Sequence, residues 1–167
     1  ESTLIEQVLG AVTAAGLDQV VVVLGSSAAQ IAERIPAGCR IVVNPEWESG
    51  ISSSIRAGLE VIDLGVEAAL FVLADQPGIT GAALRHILRA YYATDKPIVV
   101  PTVRGQRGAP VLFDRRLFPE LKALQGDVGG RQLLGCHADQ VLEVEIESPN
   151  VFLDVDTPAD YRRLLEG

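Results

Sequence analysis

Short, continuous apolar runs bounded by turn residues recur along this chain, and three of the four are followed by a segment with helical spacing. QVVVVLG (19–25), RIVVNP (40–45), the run that opens AALFVLADQPGIT (68–80) and KPIVVPTVRG (96–105) are short and almost uniformly apolar. Runs of this kind are strands buried on both faces, as in parallel sheets. Among them lie STLIEQVLGAVTAAG, SSAAQIAERIP, SSIRAGLEVIDLG and ITGAALRHILRAYYAT, read as helices from their apolar spacing and their Ser, Thr and Gly boundaries. Ser26 or Ser27 is the expected cap of the second of these. Strand and helix in alternation predict an α/β fold with a doubly wound, mostly parallel sheet. APVLFD (109–114) adds a shorter strand, RRLFPELKALQG a helix, and QVLEVEIES an edge or half-exposed strand. VFLDVDTPADYRRLLEG reads as a short strand and a helix begun at Thr157 and Pro158.

With 167 residues, 48% of them hydrophobic, the chain can bury a sizeable core, and no repeat or linker divides it. Residues 1–167 therefore read as a single domain. No apolar run approaches the ~20 residues that cross a bilayer, and no basic segment leads into an apolar one at the start, so the expectation is a cytoplasmic protein without a membrane partner. The net charge of −8, with no basic tract, argues against a nucleic-acid partner. An acidic chain that handles a phosphate ester places a divalent cation between its carboxylates and the phosphate oxygens. Cys39 and Cys136 lack metal or redox spacing and are expected as reduced, buried or half-buried thiols.

Asp75 stands where its apolar run ends, and ligands of open α/β sheets gather at strand C-terminal ends. Its other use is to cap the next helix. A second acidic cluster, LDVDTPAD (153–160), carries Asp154 and Asp156 two apart on an extended segment, so only one of them faces the site of Asp75. Asp156 has a capping alternative as well. In NPEWESGISSSIRAGLE (44–60), Gly50 permits close backbone approach to a ligand, and Ser52, Ser53 and Ser54 offer hydroxyls and amides before a helix; an ordinary cap with a flexible loop is the alternative. In VPTVRGQRGAPVLFD (100–114), Gly105 and Gly108 suit a hairpin-like turn, and Arg104 and Arg107 are either solvated or grip an anionic substrate. GDVGGRQLL (126–134) puts Asp127 and Arg131 near a site or forms a loosened helix cap. His86 and His137 have no nucleophile context and receive no catalytic role.

Together, and in this order along nearly the whole chain, NPEWESGISSSIRAGL, LADQPGIT, VPTVRGQRGAPVLF, GDVGGRQLL and LDVDTPAD resemble the molybdenum cofactor cytidylyltransferase branch of the MobA-like nucleotidyltransferases. The resemblance implies a Rossmann-like, nucleotide-diphospho-sugar transferase (GT-A-like) fold. It also implies transfer of a nucleotidyl group from CTP, or from GTP in the sister branch, to molybdopterin with Mg²⁺ and release of pyrophosphate. By the same resemblance Asp75 is the principal catalytic metal ligand and Asp156 the second. Gly50, Ser53 and Ser54 approach the nucleotide, and Gly108 and Pro110 sit on the pterin side. A molybdenum hydroxylase or its chaperone is an implied further partner.

Two departures accompany the resemblance. Relatives often carry His where this sequence has Ala109. The family also begins with a strand and a glycine-rich loop of the kind LAAGxSxRMGxxK, which wraps the triphosphate. That strand and loop are absent from these 167 residues, so the expectation is a longer physical protein, by about one strand, loop and turn, or ~30 residues, and no nucleotide transfer by these residues alone. Two other readings stand beside this one: a nucleotidyltransferase acting on a sugar phosphate or another small phosphorylated acceptor, and a non-catalytic protein that binds the molybdenum cofactor.

Overall fold

The computed structural model describes residues 2–155 together with Thr157 and Asp160. Helix α1 (Leu4–Ala15) starts with a capping box: Thr3 Oγ1 accepts from the Glu6 amide at 3.4 Å, and Glu6 Oε2 accepts from the Thr3 amide at 2.7 Å. Gly16, at φ 74°, ends it in the left-handed conformation that a side chain disfavours. Then come β1 (Val21–Leu24), α2 (Ala28–Ala32), β2 (Arg40–Val43), a 3-10 turn at Trp47–Ser49, α3 (Ile51–Val61), β3 (Ala68–Phe71) and α4 (Gly81–Tyr92). The second half contains β4 (Ile98–Val103), β5 (Gln106–Arg107), β6 (Val111–Asp114), α5 (Phe118–Ala123), α6 (Arg131–Cys136) and β7 (Val141–Glu145).

The α/β class is the expected one, and the sheet is mixed. β1 and β2 pair in parallel, as do β4 and β7. β6 lies between β3 and β4 and runs against both, so β3 and β4 run along one another. This follows from a short connection: only Arg104 and Gly105 separate the paired residues Val103 and Gln106, so the chain reverses on the spot. Both loop residues have positive φ, 51° and 77°, as a type I′ hairpin requires. Pro101 sits in β4 where the β6 ladder has ended, and its carbonyl accepts from the Gly108 amide at 3.1 Å. A residue without an N–H is tolerated at such a break.

β4 is the centre of the molecule, with Ile98, Val99 and Val100 fully buried. Alternation along it divides the core in two. Val99 packs with Val8, Val12, Leu84, Ile87, Leu112 and Val144 beneath α1 and α4, whereas Ile98 and Val100 pack with Ile55, Leu59, Phe113, Leu121 and Leu133 beneath α3, α5 and α6. The result is a sheet with helices on both faces. Among the described residues β1 pairs only with β2 and β3 only with β6, so one edge of β1 and one of β3 carry no strand.

Several local expectations are corrected. β3 stops at Phe71, so Asp75 lies in the turn beyond the strand and not on its last residue. Thr80, not Asp75, caps α4, accepting from the Ala83 amide at 3.2 Å. Ser27 holds the cap position of α2 in a left-handed conformation and makes no side-chain cap bond. Residues 149–152 form a 3-10 turn instead of a strand, because their hydrogen bonds close locally and no ladder partner reaches them. Cys136 is exposed, since Leu133 and Leu134 take the inner face of α6. No helix among the described residues is long and apolar enough to cross a membrane.

Candidate active site

Parallel β3, β4 and β7 leave the sheet at one edge, and two acidic segments remote in sequence meet there. The Val155 amide donates to the carbonyl oxygen of Asp75 at 2.9 Å. One residue to either side, Gln76 Nε2 donates to Asp154 Oδ1 at 2.7 Å; Gln76 is buried, whereas Asp75 and Asp154 are exposed. Gly78 lets this contact close: a Cβ there would lie 2.7 Å from the carbonyl carbon of Asn150. Asp75 is thereby set beside the strap 149–155. Asp156 lies outside the described residues. Thr157 and Asp160 form a reciprocal pair, with the Thr157 amide donating to Asp160 Oδ2 at 2.9 Å and the Asp160 amide to Thr157 Oγ1 at 3.2 Å.

The strap also carries the hairpin. A Cβ on Gly108 would sit 2.5–2.7 Å from the ring of Phe152, so only glycine allows the β5 side of the hairpin to lie against that ring. The Ala109–Pro110 peptide is cis, and Pro110 is fully buried. Arg107 is held by Glu143 at 2.6 Å. Glu145 does something different: it accepts from Thr102 Oγ1 at 2.7 Å and from the Arg104 amide at 2.8 Å. The Thr102 hydroxyl, followed by the Arg104 and Gly105 amides, keeps its carboxyl below its ordinary value of 4.5. Arg104 is exposed, and its guanidinium makes no ion pair among the described residues.

The serine loop turns inward. Gly50, at φ 101°, faces the protein's own backbone: a Cβ would lie 2.5 Å from Gly126 O and Asp127 N. Ser52 Oγ donates to Gly126 O at 2.7 Å, and the Ile51 amide reaches Asp127 Oδ1 at 3.4 Å. Ser53 is buried, its hydroxyl 2.9 Å from Glu46 O and 2.8 Å from Gly50 O, with Asn44 Nδ2 donating to it at 2.8 Å. The Ser52 and Ser53 amides bond to Gly126 O and Gly50 O. Ser54, half-buried, accepts from Asn44 at 3.1 Å and keeps its own proton to give. The loop is therefore a braced platform whose first amides are taken up internally, and among the three serines Ser54 retains a donor.

Sequence reasoning passed over Asn44 and Gln76. Asn44, directly after β2, organises the serine loop through its side chain and accepts from the Glu46 amide at 2.9 Å. Its signal was a polar residue at the end of an apolar run, the same signal that singled out Asp75. A wide depression of about 610 Å³ lies at the other edge of the sheet, around Tyr91, Asp114, Arg115 and Arg116. Its polar groups satisfy one another: Tyr91 donates to Asp114 at 2.8 Å, and Arg116 pairs with Asp114 at 2.9 Å. Burial, then the bond to Asp114, pushes Tyr91 up to about 12. The strand-exit edge, with its converging loops, is the better candidate for chemistry.

Two carboxylates on adjoining backbone segments are an oxygen-only donor set. That set fits a hard divalent cation, which needs only one or two carboxylates when phosphates and waters complete its shell. No cluster of three or more His, Cys, Asp or Glu that could hold a metal ion occurs among the described residues.

The fold is that of an α/β domain of the Rossmann-like nucleotidyltransferase class. The MobA-like NTP transferase domain matches residues 1–141, and the chain belongs to that family. A nicotine blue oxidoreductase of Paenarthrobacter nicotinovorans is 31% identical over 175 aligned residues, which cover 98% of this chain and 83% of that protein. The molybdenum cofactor cytidylyltransferase of Escherichia coli K12 is 24% identical over 147 residues, covering 86% of this chain and 72% of that one. A solved Mycobacterium tuberculosis H37Rv protein superposes with a TM-score of 0.87 at 33% identity, over 99% of this chain and 85% of that one. The same protein has been solved in complex with manganese, with a TM-score of 0.85 at 32% identity, over 99% of this chain and 87% of that one.

Proposed function

We propose that this chain is the transfer domain of a molybdenum cofactor nucleotidyltransferase, moving CMP or GMP from the triphosphate to the terminal phosphate of molybdopterin. The carrying observation is the junction of Asp75 with the strap 149–155, which gathers carboxylates from distant parts of the chain at the strand-exit edge. An oxygen of the acceptor phosphate attacks the α-phosphorus, the bond to the β-phosphate oxygen breaks, and pyrophosphate leaves. No protein nucleophile is needed, because positioning and charge neutralisation carry such a transfer. Asp75, with Asp156, would hold Mg²⁺, which when bound neutralises the phosphate charge. The platform around Gly50, Ser53 and Ser54 sets the position of the nucleotide, and Gly108 over Phe152, with Pro110, shapes the acceptor side. The manganese complex of the mycobacterial relative supports the use of a divalent cation.

The edges of β1 and β3 that carry no strand among the described residues lead us to propose one further strand between them, belonging to a segment outside these 167 residues and bringing the triphosphate loop with it. The natural gene product then has a mass well above 17.8 kDa, and residues 1–167 alone transfer no nucleotide. The test is pyrophosphate release by the full gene product with CTP or GTP, Mg²⁺ and molybdopterin. Asp75→Asn should lower turnover by about a hundredfold or more, as loss of a charge that neutralises the transition state does. An unchanged rate removes Asp75 from the mechanism. Turnover with a sugar phosphate alone would keep the transfer and replace the acceptor. A second reading follows the higher identity to nicotine blue oxidoreductase: turnover of nicotine blue without pyrophosphate release would supplant nucleotidyl transfer.

A further inference from the structure

We propose that Arg104, at the tip of the β4–β5 hairpin, is the residue that binds the phosphate monoester of the acceptor, and that Glu145 is the positioning residue that holds it there. The inference rests on the nucleotidyl-transfer reading for its acceptor, and on the following geometry for its residue. The first loop position of a type I′ turn has positive φ and favours Asn, Asp or Gly. Arg occupies it here at φ 51°, a conformation that strains a residue with a Cβ. Glu145 accepts from the Arg104 amide and not from its guanidinium, and a second bond from Thr102, which is buried, locks that carboxylate in place. The turn is thus braced through its backbone while the cation is left without an ion-pair partner among the described residues. Arg107, three residues on, shows the contrast: its guanidinium is held by Glu143 at 2.6 Å.

Location adds the second argument. The hairpin leaves β4 at the edge where β3 runs out toward Asp75, and Gly108 against Phe152 joins it to the strap that carries Val155 and Asp154 onto Asp75 and Gln76. The acidic segments and the hairpin are therefore one connected assembly. A transfer between two anions needs the acceptor phosphate neutralised by a group other than the carboxylates that hold a cation. A guanidinium does this with a planar, two-pronged set of donors that fits a phosphate monoester.

The experiment is equilibrium binding and kinetics on the full gene product, with molybdopterin, with ribose 5-phosphate as a second phosphate monoester, and with CTP plus Mg²⁺. Arg104→Ala should weaken binding of the acceptor and raise its KM about tenfold or more, the loss expected for one charge-assisted contact. CTP binding and kcat at saturating acceptor should stay within about twofold. Arg104→Lys should recover part of the loss, and Arg107→Ala should cause little. Glu145→Ala should raise the acceptor KM in the same direction, and Glu145→Gln, which keeps an accepting oxygen, should restore much of it. If ribose 5-phosphate binds and molybdopterin does not, and Arg104→Ala loses the ribose 5-phosphate, the molybdopterin reading falls and the role of Arg104 stands. Unchanged acceptor binding in Arg104→Ala, an equal loss in Arg107→Ala, a loss confined to CTP, or no binding of either monoester by the wild type would overturn it.

Discussion

Three residues show how much a side chain's meaning depends on what lies opposite it. Gly50 and Gly16 both have positive φ, 101° and 74°, but a Cβ at Gly50 would meet the Gly126–Asp127 backbone while one at Gly16 would meet open space. Gly16→Ala should therefore cost about 1 kcal/mol for its left-handed conformation alone. Gly50→Ala adds displacement of a packed backbone, for about 2–5 kcal/mol in all. Urea denaturation of the two variants measures the difference, and equal costs would mean that the 126–127 loop gives way freely. Glu145 is the third. Its carboxyl is held low by Thr102 and by the turn amides, so it stabilises the folded state above its ordinary 4.5, and this contribution is lost as pH falls through the folded value. Thermal melts between pH 3 and about pH 6 should show a smaller fall in stability for Glu145→Gln than for the wild type.

At the scale of elements, the ends of α1 and the hairpin were legible, whereas the cap of α2 and the end of β3 were not. Thr3, Gly16 and the Gly105 turn act through bonds within a few residues, so the local sequence contains all the information needed. The AALFVLAD run continues apolar beyond Phe71, yet its ladder stops there, because β6 starts only at Val111, the partner of Phe71. A strand ends where its neighbour ends, and an apolar run does not report its neighbour. The short strand expected at the start of VFLDVDTPADYRRLLEG gave way to a 3-10 turn whose hydrogen bonds close locally.

For the whole molecule, the central fact is that the five-stranded sheet and the β1–β2 pair share no ladder among the described residues. β4 is flanked along its length and lies between two core clusters, whereas the β1–β2 pair leaves Ile41 and Val43 at 40% and 59% exposure. A two-stranded sheet is marginal by itself, and β1 and β2 open more readily than β4 if no further strand joins them. Hydrogen exchange on residues 1–167 should find the β1 and β2 amides exchanging well before those of Val99 and Val100, through a separate opening. Equal protection would show that the two sheets already unfold as one.

The candidate site divides along the same line. Order along the chain determined that strands and helices alternate, that an Asp follows a buried run and that a tight hairpin follows β4, since periodicity and turn chemistry act over short distances. The tertiary structure alone decided that Val155 lies on Asp75, that Gln76 bonds to Asp154, that Ser52 turns inward onto Gly126, and that Arg107 forms an ion pair while Arg104 forms none among the described residues. Those contacts join residues some 35 to 80 positions apart, and only the packing of the sheet edges brings them within bonding distance.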